Sequence, residues 1–144
     1  MSRKLKVYLS GATLNVEKEF QSWREACLSY SKNGYYDKIS FIDPISYFDY
    51  TYKLPMTEKQ CLDFFMWQID QCDVLLCNLD NSKISIGTAM EVEHAYCNNK
   101  PVIGFGSNID THYNWTRERC SAIFDTLEEA LHYIHNYYGK VVCE

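Results

Sequence analysis

Short apolar runs alternate with longer amphipathic segments along this chain, and this alternation restricts the fold more than any other feature. The clearest run is Asp73–Leu79, which is apolar enough for a strand buried on both faces of a sheet. Other short runs predict four more strands, the last at an edge: residues 6–10, 39–42, 102–105 and 122–124. Apolar residues at helical spacing predict the helices between them: residues 15–32, 57–71, 87–98 and 126–138, the last ended by Gly139.

Strands that alternate with helices predict parallel βαβ units with right-handed crossovers. The 144 residues suit a single domain. We therefore expect an α/β fold: one doubly wound, flavodoxin-like sheet of five parallel strands with helices on both faces. In such sheets a ligand lies beyond the carboxyl ends of the strands, where the strand order reverses. That rule makes the strand-end residues Ser10, Gly11 and Asp43 candidates for substrate contact.

Charge and composition narrow the classes of partner. The formal net charge of −5 argues against a nucleic-acid backbone as the ligand. No apolar stretch approaches the roughly 20 residues of a membrane span. The seven cysteines are odd in number and form no CxxC pair, which predicts reduced, mostly buried thiols in a cytoplasmic protein. We expect a small-molecule partner, and neither a membrane nor a nucleic acid.

The segment Ser85–Glu91 joins the third strand to the next helix and carries the strongest chemical signal. Gly87 lets the backbone approach a ligand, and the first amides of the helix offer donors to an anion or a sugar hydroxyl. Ser85 and Thr88 add hydroxyls, and Glu91 lies one turn further on. The spacing of Thr88 and Glu91 also fits a capping box, in which Glu91 would only cap its own helix.

Two further patterns bear on the site. Residues 45–56, with Tyr47 and Phe48 among them, form a long polar and aromatic loop that packs on the surface in the plainest interpretation, although loops of this length are often functional. The sequence contains neither the P-loop motif nor the dinucleotide-binding glycine motif. His94 and Cys97, like His132 and His135, are spaced as helix neighbours, but such pairs are more typical of ordinary surface or core positions than of a metal-ligand set. We expect neither a cofactor nor a metal ion.

Four pieces of the chain together resemble the nucleoside 2-deoxyribosyltransferase family and its relatives, the 2'-deoxynucleoside 5'-monophosphate N-glycosidases. They fall in matching order between about residues 4 and 105: Val7–Gly11, Cys72–Val74, Gly87–Glu91 with Ala95, and Lys100–Val102. The resemblance implies that Glu91 is a nucleophile that attacks the anomeric carbon of an N-glycoside and forms a glycosyl-enzyme. It also implies that Tyr8 hydrogen-bonds close to that nucleophile, and that Tyr47 and Phe48 form a surface on which the base stacks, with ordinary packing as the alternative.

Three positions depart from the family pattern. Ser85 stands where an acid usually contacts the sugar, and a serine there resembles the monophosphate hydrolases. Phe65 stands where an aspartate usually assists the leaving base, and Glu93 replaces a small residue. Three functions therefore stay open: exchange or cleavage of the base of a (deoxy)nucleoside, hydrolysis of a nucleoside 5'-monophosphate, or nucleotide binding with impaired catalysis.

Assembly is the last expectation from the resemblance. Relatives of this kind form dimers or larger homo-oligomers in which a neighbour completes the pocket. By resemblance we expect a homo-oligomer here, with residues 106–115 crossing over and Asn114 as the candidate contact to substrate.

Overall fold

The sheet in the computed structural model is all parallel, as the alternation of strands and helices predicts. The structure describes residues 3–13, 22–47 and 57–143. The sheet has the order β2-β1-β3-β4-β5, and every neighbouring pair is parallel. Its strands follow the predicted runs closely: β1 Leu5–Ser10, β2 Ile39–Ile42, β3 Val74–Asn78, β4 Val102–Phe105 and β5 Ala122–Phe124. The predicted α/β fold is confirmed.

Helices connect the strands on both faces of this sheet. Their bounds are α1 Ser22–Lys32, α2 Glu58–Asp70, α3 Ile86–Cys97, α4 Trp115–Glu118, α5 Leu127–Tyr133 and α6 Lys140–Val142. Short 3₁₀ turns at Pro44–Tyr47 and Ser82–Ile84 follow β2 and β3. Thr57 precedes α2 and forms the predicted capping box. Its hydroxyl accepts a hydrogen bond from the Gln60 amide, and the Gln60 side chain accepts one from the Thr57 amide.

Two apolar layers cover the sheet because side chains along a strand point alternately to its two faces. Val74 and Leu76 of β3 belong to the layer that packs against α1 and α5. Leu75 and Cys77 belong to the other layer, against α2 and α3. All five residues of β3 are buried, as expected for a central strand.

Some expectations about the ends of the chain and its cysteines need correction. Gly139 does not end the last helix, because its φ of −62° is helical and the chain continues through a π-type turn into α6. A Cβ at Gly139 would lie 3.3 Å from the Lys38 Cβ, so the glycine permits close packing instead. All seven cysteines are free thiols, but only Cys27, Cys72 and Cys77 are buried.

Two further findings concern the segments that were hardest to interpret from sequence. The short helix α4 lies within residues 106–120, where the pattern indicated no element. None of the helices in the described part of the chain has the length and apolar character needed to cross a membrane.

Candidate active site

The strand order places a crevice beyond the carboxyl ends of β1 and β3. The chain leaves β1 toward β2 on one side and later returns to β3 on the other, so the order reverses between these two strands. Ser10 and Gly11 at the end of β1 and the segment Ser85–Glu91 after β3 are among the residues that the sequence predicted for the ligand site. Gly11, Thr13, Ser85, Gly87 and Glu91 line one cavity of about 160 Å³ there.

Glu91 projects from the second turn of α3 back to the end of β1. The Tyr8 hydroxyl donates a hydrogen bond to Glu91 Oε2, and the Ser10 hydroxyl donates one to Oε1 at a distance of 3.0 Å. The helix is capped instead by Ser85, whose Oγ accepts from the Thr88 amide at 3.2 Å. The alternative in which Glu91 is only a helix cap is therefore wrong.

The electrostatics of this pair follow from its burial. Burial raises the pKa of Glu91 above its usual range, although the bonds from Tyr8 and Ser10 and the charge of Arg24 act against the shift. Burial and the adjacent negative charge raise the pKa of Tyr8 far above its usual value. Tyr8 therefore keeps its proton and acts as a fixed donor to the carboxylate.

Arg24 is a site residue that the sequence analysis missed. It is buried on α1, and its guanidinium donates to the carbonyls of Leu9 and Gly11 and to Asp43 Oδ1, each within 3.0 Å. This one side chain thus ties the end of β1 to the segment after β2, and it also lines the cavity. Its position on the predicted apolar face of the first helix was the available signal, because a charge on such a face must find partners.

The apolar part of the cavity lining comes from α2 and, at Pro44 and Ile45, from the turn after β2. Leu62, Phe65 and Met66 line the cavity, at the spacings of three and four that place residues on one helix face. Asp63 and Asp70 bond to Lys59 and His94 and are not among the lining residues. No carboxylate from α2 therefore substitutes for the aspartate that the family usually carries at position 65.

A larger groove adjoins the cavity. Its volume is about 690 Å³, and it shares Met66 and Ser85 with the cavity. The cavity alone is smaller than the roughly 300–1,000 Å³ of typical small-molecule pockets. The groove carries exposed apolar side chains, among them Ile86 and Trp115, which are 79% and 78% exposed.

The other candidate residues divide into those near the cavity and those elsewhere. Thr88 lines it and bonds to Ser85, whereas Asp43 is not among its lining residues and contacts two that are, the Arg24 side chain and the Ile45 amide. Tyr47 ends a 3₁₀ turn, but its side chain and Phe48 lie outside the described residues. Among the described residues, no group of three metal-binding side chains lies close together.

Asn114 lies apart from the cavity within its own chain. It is buried and caps α4, accepting from the Arg117 amide. Its amide donates to Ser82 Oγ and to the Asp110 carbonyl. The predicted contact of Asn114 with substrate in a neighbouring subunit stays a prediction.

Comparison with known proteins gives the family. The family model described as nucleoside 2-deoxyribosyltransferase matches residues 7–136. The chain belongs to the nucleoside 2-deoxyribosyltransferase family. No curated protein sequence gives a significant match. The resemblance found in the sequence is confirmed, and it extends beyond residue 105 to include α4 and α5.

Solved structures share the fold of this deoxyribosyltransferase-family chain at low sequence identity. A conserved protein from Enterococcus faecalis V583 is 15% identical with a TM-score of 0.71, and 92% of this chain covers 98% of that one. The 2-deoxyribosyltransferase from Bacillus psychrosaccharolyticus is 20% identical with a TM-score of 0.57, and the match covers 92% of this chain and 91% of that one. A CMP N-glycosidase from Clostridium botulinum is 16% identical with a TM-score of 0.59, and the match covers 92% of this chain and 99% of that one.

Proposed function

We propose that this family member cleaves or exchanges the base of a (deoxy)nucleoside, with Glu91 as the nucleophile. The observation that supports the proposal most strongly is the Glu91 carboxylate, which faces a cavity and is held on both oxygens by hydroxyls from β1. A carboxylate fixed in this way is suited to displacement at an anomeric carbon, because its reactive oxygens are already oriented.

The reaction would proceed in two displacements with retention. A Glu91 oxygen attacks C1' of the sugar, and the C1'–N bond breaks with its electron pair going to the base. The departing base takes up a proton from solvent. Water or a second base then attacks C1' of the glycosyl ester, which breaks the ester bond, regenerates the carboxylate and releases the proton of the nucleophile to solvent. Tyr8 and Ser10 hold the carboxylate in place, and no cofactor takes part.

The test is base release or exchange. The protein is incubated with deoxynucleosides, ribonucleosides and their 5'-monophosphates, with and without a second base, and the bases are separated by chromatography. We expect Glu91→Ala to lose turnover while keeping the wild-type circular dichroism spectrum. Exchange would indicate transfer, and release alone would indicate hydrolysis. Normal turnover by Glu91→Ala would refute the nucleophile, and a nucleotide that raises the Tm without any turnover would favour a binding protein.

A second candidate substrate, a nucleoside 5'-monophosphate, is supported by Ser85. Its hydroxyl lies at the start of α3 and lines the cavity, where helix amides and a neutral side chain suit an anion. Ser85→Asp keeps a good helix cap but adds a negative charge, whereas Ser85→Asn keeps the cap without a charge. We expect only Ser85→Asp to shift preference away from monophosphates. Equal behaviour of the two variants would remove phosphate from the proposal.

Assembly belongs to the same proposal. We infer that a second copy of the chain covers the groove that adjoins the cavity, because its apolar side chains are exposed in the single chain and it shares lining residues with the site. A neighbour seated there would border the bound substrate.

A further inference from the structure

The leaving-base side of the cavity is the starting point. α2 contributes Leu62, Phe65 and Met66 to the lining, and Phe65 occupies the position where the family resemblance places an acid. Among the described residues that line the cavity, Glu91 is the only carboxyl group. The chain therefore supplies a nucleophile from α3 and an apolar, aromatic surface from α2.

This arrangement suits one kind of leaving group better than another. A neutral base leaves with the electron pair of the glycosidic bond and needs a proton, which a general acid normally supplies at a gain of about 10²–10⁴ in rate. A base that is already a cation accepts the same electron pair and leaves neutral. The second kind needs no acid on the wall where Phe65 stands.

The charges around the cavity point the same way. Among the described residues that line the cavity, Arg24 is the one cation, and it pairs with Asp43 at a distance of 3.0 Å. Glu91 is bonded by neutral hydroxyls, so the three groups together carry one negative charge. A cationic ring placed in the cavity would face the Glu91 carboxylate. The Phe65 ring would also attract it, because the face of an aromatic ring carries partial negative charge.

We propose that this cavity selects N-glycosides whose base is a cation, of the pyridinium or N-alkylated purine class. The inference rests on the proposed function, because it assigns a substrate class to the same site. Glu91 attacks C1', the C1'–N bond breaks, and its electron pair neutralises the ring nitrogen, so the base departs uncharged. Water then adds to C1', the ester bond to Glu91 breaks, and the proton of the water passes to solvent.

Two matched pairs of probes test this selection with the full chain. Nicotinamide riboside is compared with its neutral dihydro form, and 7-methylguanosine with guanosine. For each compound, kcat/KM is divided by the uncatalysed rate constant, which removes the intrinsic reactivity of the cation. We expect this normalised acceleration to be greater for both cationic members by about 10-fold, which corresponds to about 1.4 kcal/mol. A greater value in only one pair identifies which base class the cavity takes.

Substitutions at position 65 test the physical cause. Phe65→Asp places a carboxyl group on the wall, and Phe65→Asn is a control of nearly equal size without an acid. We expect Phe65→Asp to increase the acceleration of the neutral members by about 10-fold or more, and Phe65→Asn to leave it low. If the two variants behave alike, the missing proton is not the cause and the inference fails. If both fail to fold, the wild-type ratios decide alone.

The possible outcomes separate this inference from the proposed function. An acceleration that is equal or greater for the neutral members, and is lost in Glu91→Ala, overturns the selection for cations but keeps the N-glycosidase. No Glu91-dependent release from any probe or nucleoside overturns both. Release from the cationic members that is lost in Glu91→Ala, with the expected ratio, supports both.

Discussion

The Tyr8 hydroxyl donates a hydrogen bond to Glu91 Oε2, which joins the first strand to the helix after the third strand. Because burial and the neighbouring carboxylate both raise the pKa of Tyr8, the phenol keeps its proton at any physiological pH. The phenol is therefore always available as a donor to the carboxylate. It gives Glu91 a fixed orientation before the reaction begins.

Removal of this donor should weaken catalysis. We expect Tyr8→Phe to reduce kcat/KM by about 10- to 100-fold, the range for loss of a hydrogen bond to a charged group. It should also move the acid limb of the pH profile to higher pH, because that bond lowers the pKa of Glu91. Tyr30→Phe is the matched control, since its hydroxyl bonds to exposed Glu128 on the other side of the sheet. An unchanged profile in Tyr8→Phe would contradict the assignment.

The pH dependence of the wild-type enzyme follows from the raised pKa of Glu91. In the proposed mechanism the ionised carboxylate attacks, so kcat/KM should fall as the pH falls through a value above the ordinary glutamate range. Ser10→Ala removes the bond to Oε1 and should move this limb to still higher pH. The measurement is kcat/KM between about pH 4 and 8, a range that begins near the ordinary glutamate pKa and extends above it.

Stability should change in the opposite direction over the same range. The folded chain holds the Glu91 proton more tightly than the unfolded chain, because the pKa of Glu91 is raised on folding. The free energy of unfolding should therefore increase as the pH falls from above the pKa of Glu91 in the folded chain to its pKa in the unfolded chain. At neutral pH the buried charge is therefore destabilising. We expect Glu91→Gln to raise the Tm by a few degrees at pH 7, with a smaller gain at lower pH. A lower Tm at pH 7 would contradict this sign.

Loss of the buried cation should be costly. Arg24→Met removes the partner of the largely buried Asp43 carboxylate and the donor to the Leu9 and Gly11 carbonyls, and breaking such a pair typically costs about 3–5 kcal/mol. We expect urea denaturation to show this loss, and Asp43→Asn to recover part of it in the double variant. Lys59→Met breaks an exposed ion pair with Asp63 and should change stability little. If Arg24→Met and Lys59→Met lower the free energy of unfolding equally, the role of Arg24 is refuted.

Assembly can be tested on the exposed apolar groove. We expect the wild-type chain to be a dimer or larger in light scattering, and Trp115→Glu to shift it toward the monomer with reduced turnover. Val141→Glu adds the same charge at an equally exposed site on α6 and should leave the assembly intact. A monomeric wild type with full activity would end the idea that a neighbour borders the site.

Much of the fold was predictable because burial imposes simple periods on the sequence. The central strand and the start of α2 followed from an apolar run and a capping box, both local signals. The prediction that Gly139 ends the last helix was wrong because the role of this glycine depends on close contact with Lys38, which is distant in sequence. The four-residue helix α4 is too short to show a period.

The site was only partly predictable, because it depends on contacts between distant residues. The spacing of Thr88 and Glu91 allowed both a helix cap and an inward carboxylate. Only the contact with Tyr8, 83 residues away, distinguishes them. Ser85 was singled out for its place beside a ligand, yet the structure also gives it the role of helix cap. Arg24 was missed because its partners are mostly backbone carbonyls, which a sequence motif does not record.

The cavity combines parts of separate origin. The reactive oxygens of Glu91 are oriented by β1, whereas the opposing apolar surface comes from one face of α2. Under the proposed mechanism, a single exchange on that face would alter which bases can depart without changing the contacts that hold the carboxylate. New substrate preferences would then arise from changes on α2 alone, while Glu91 and its two hydroxyl donors stay the same.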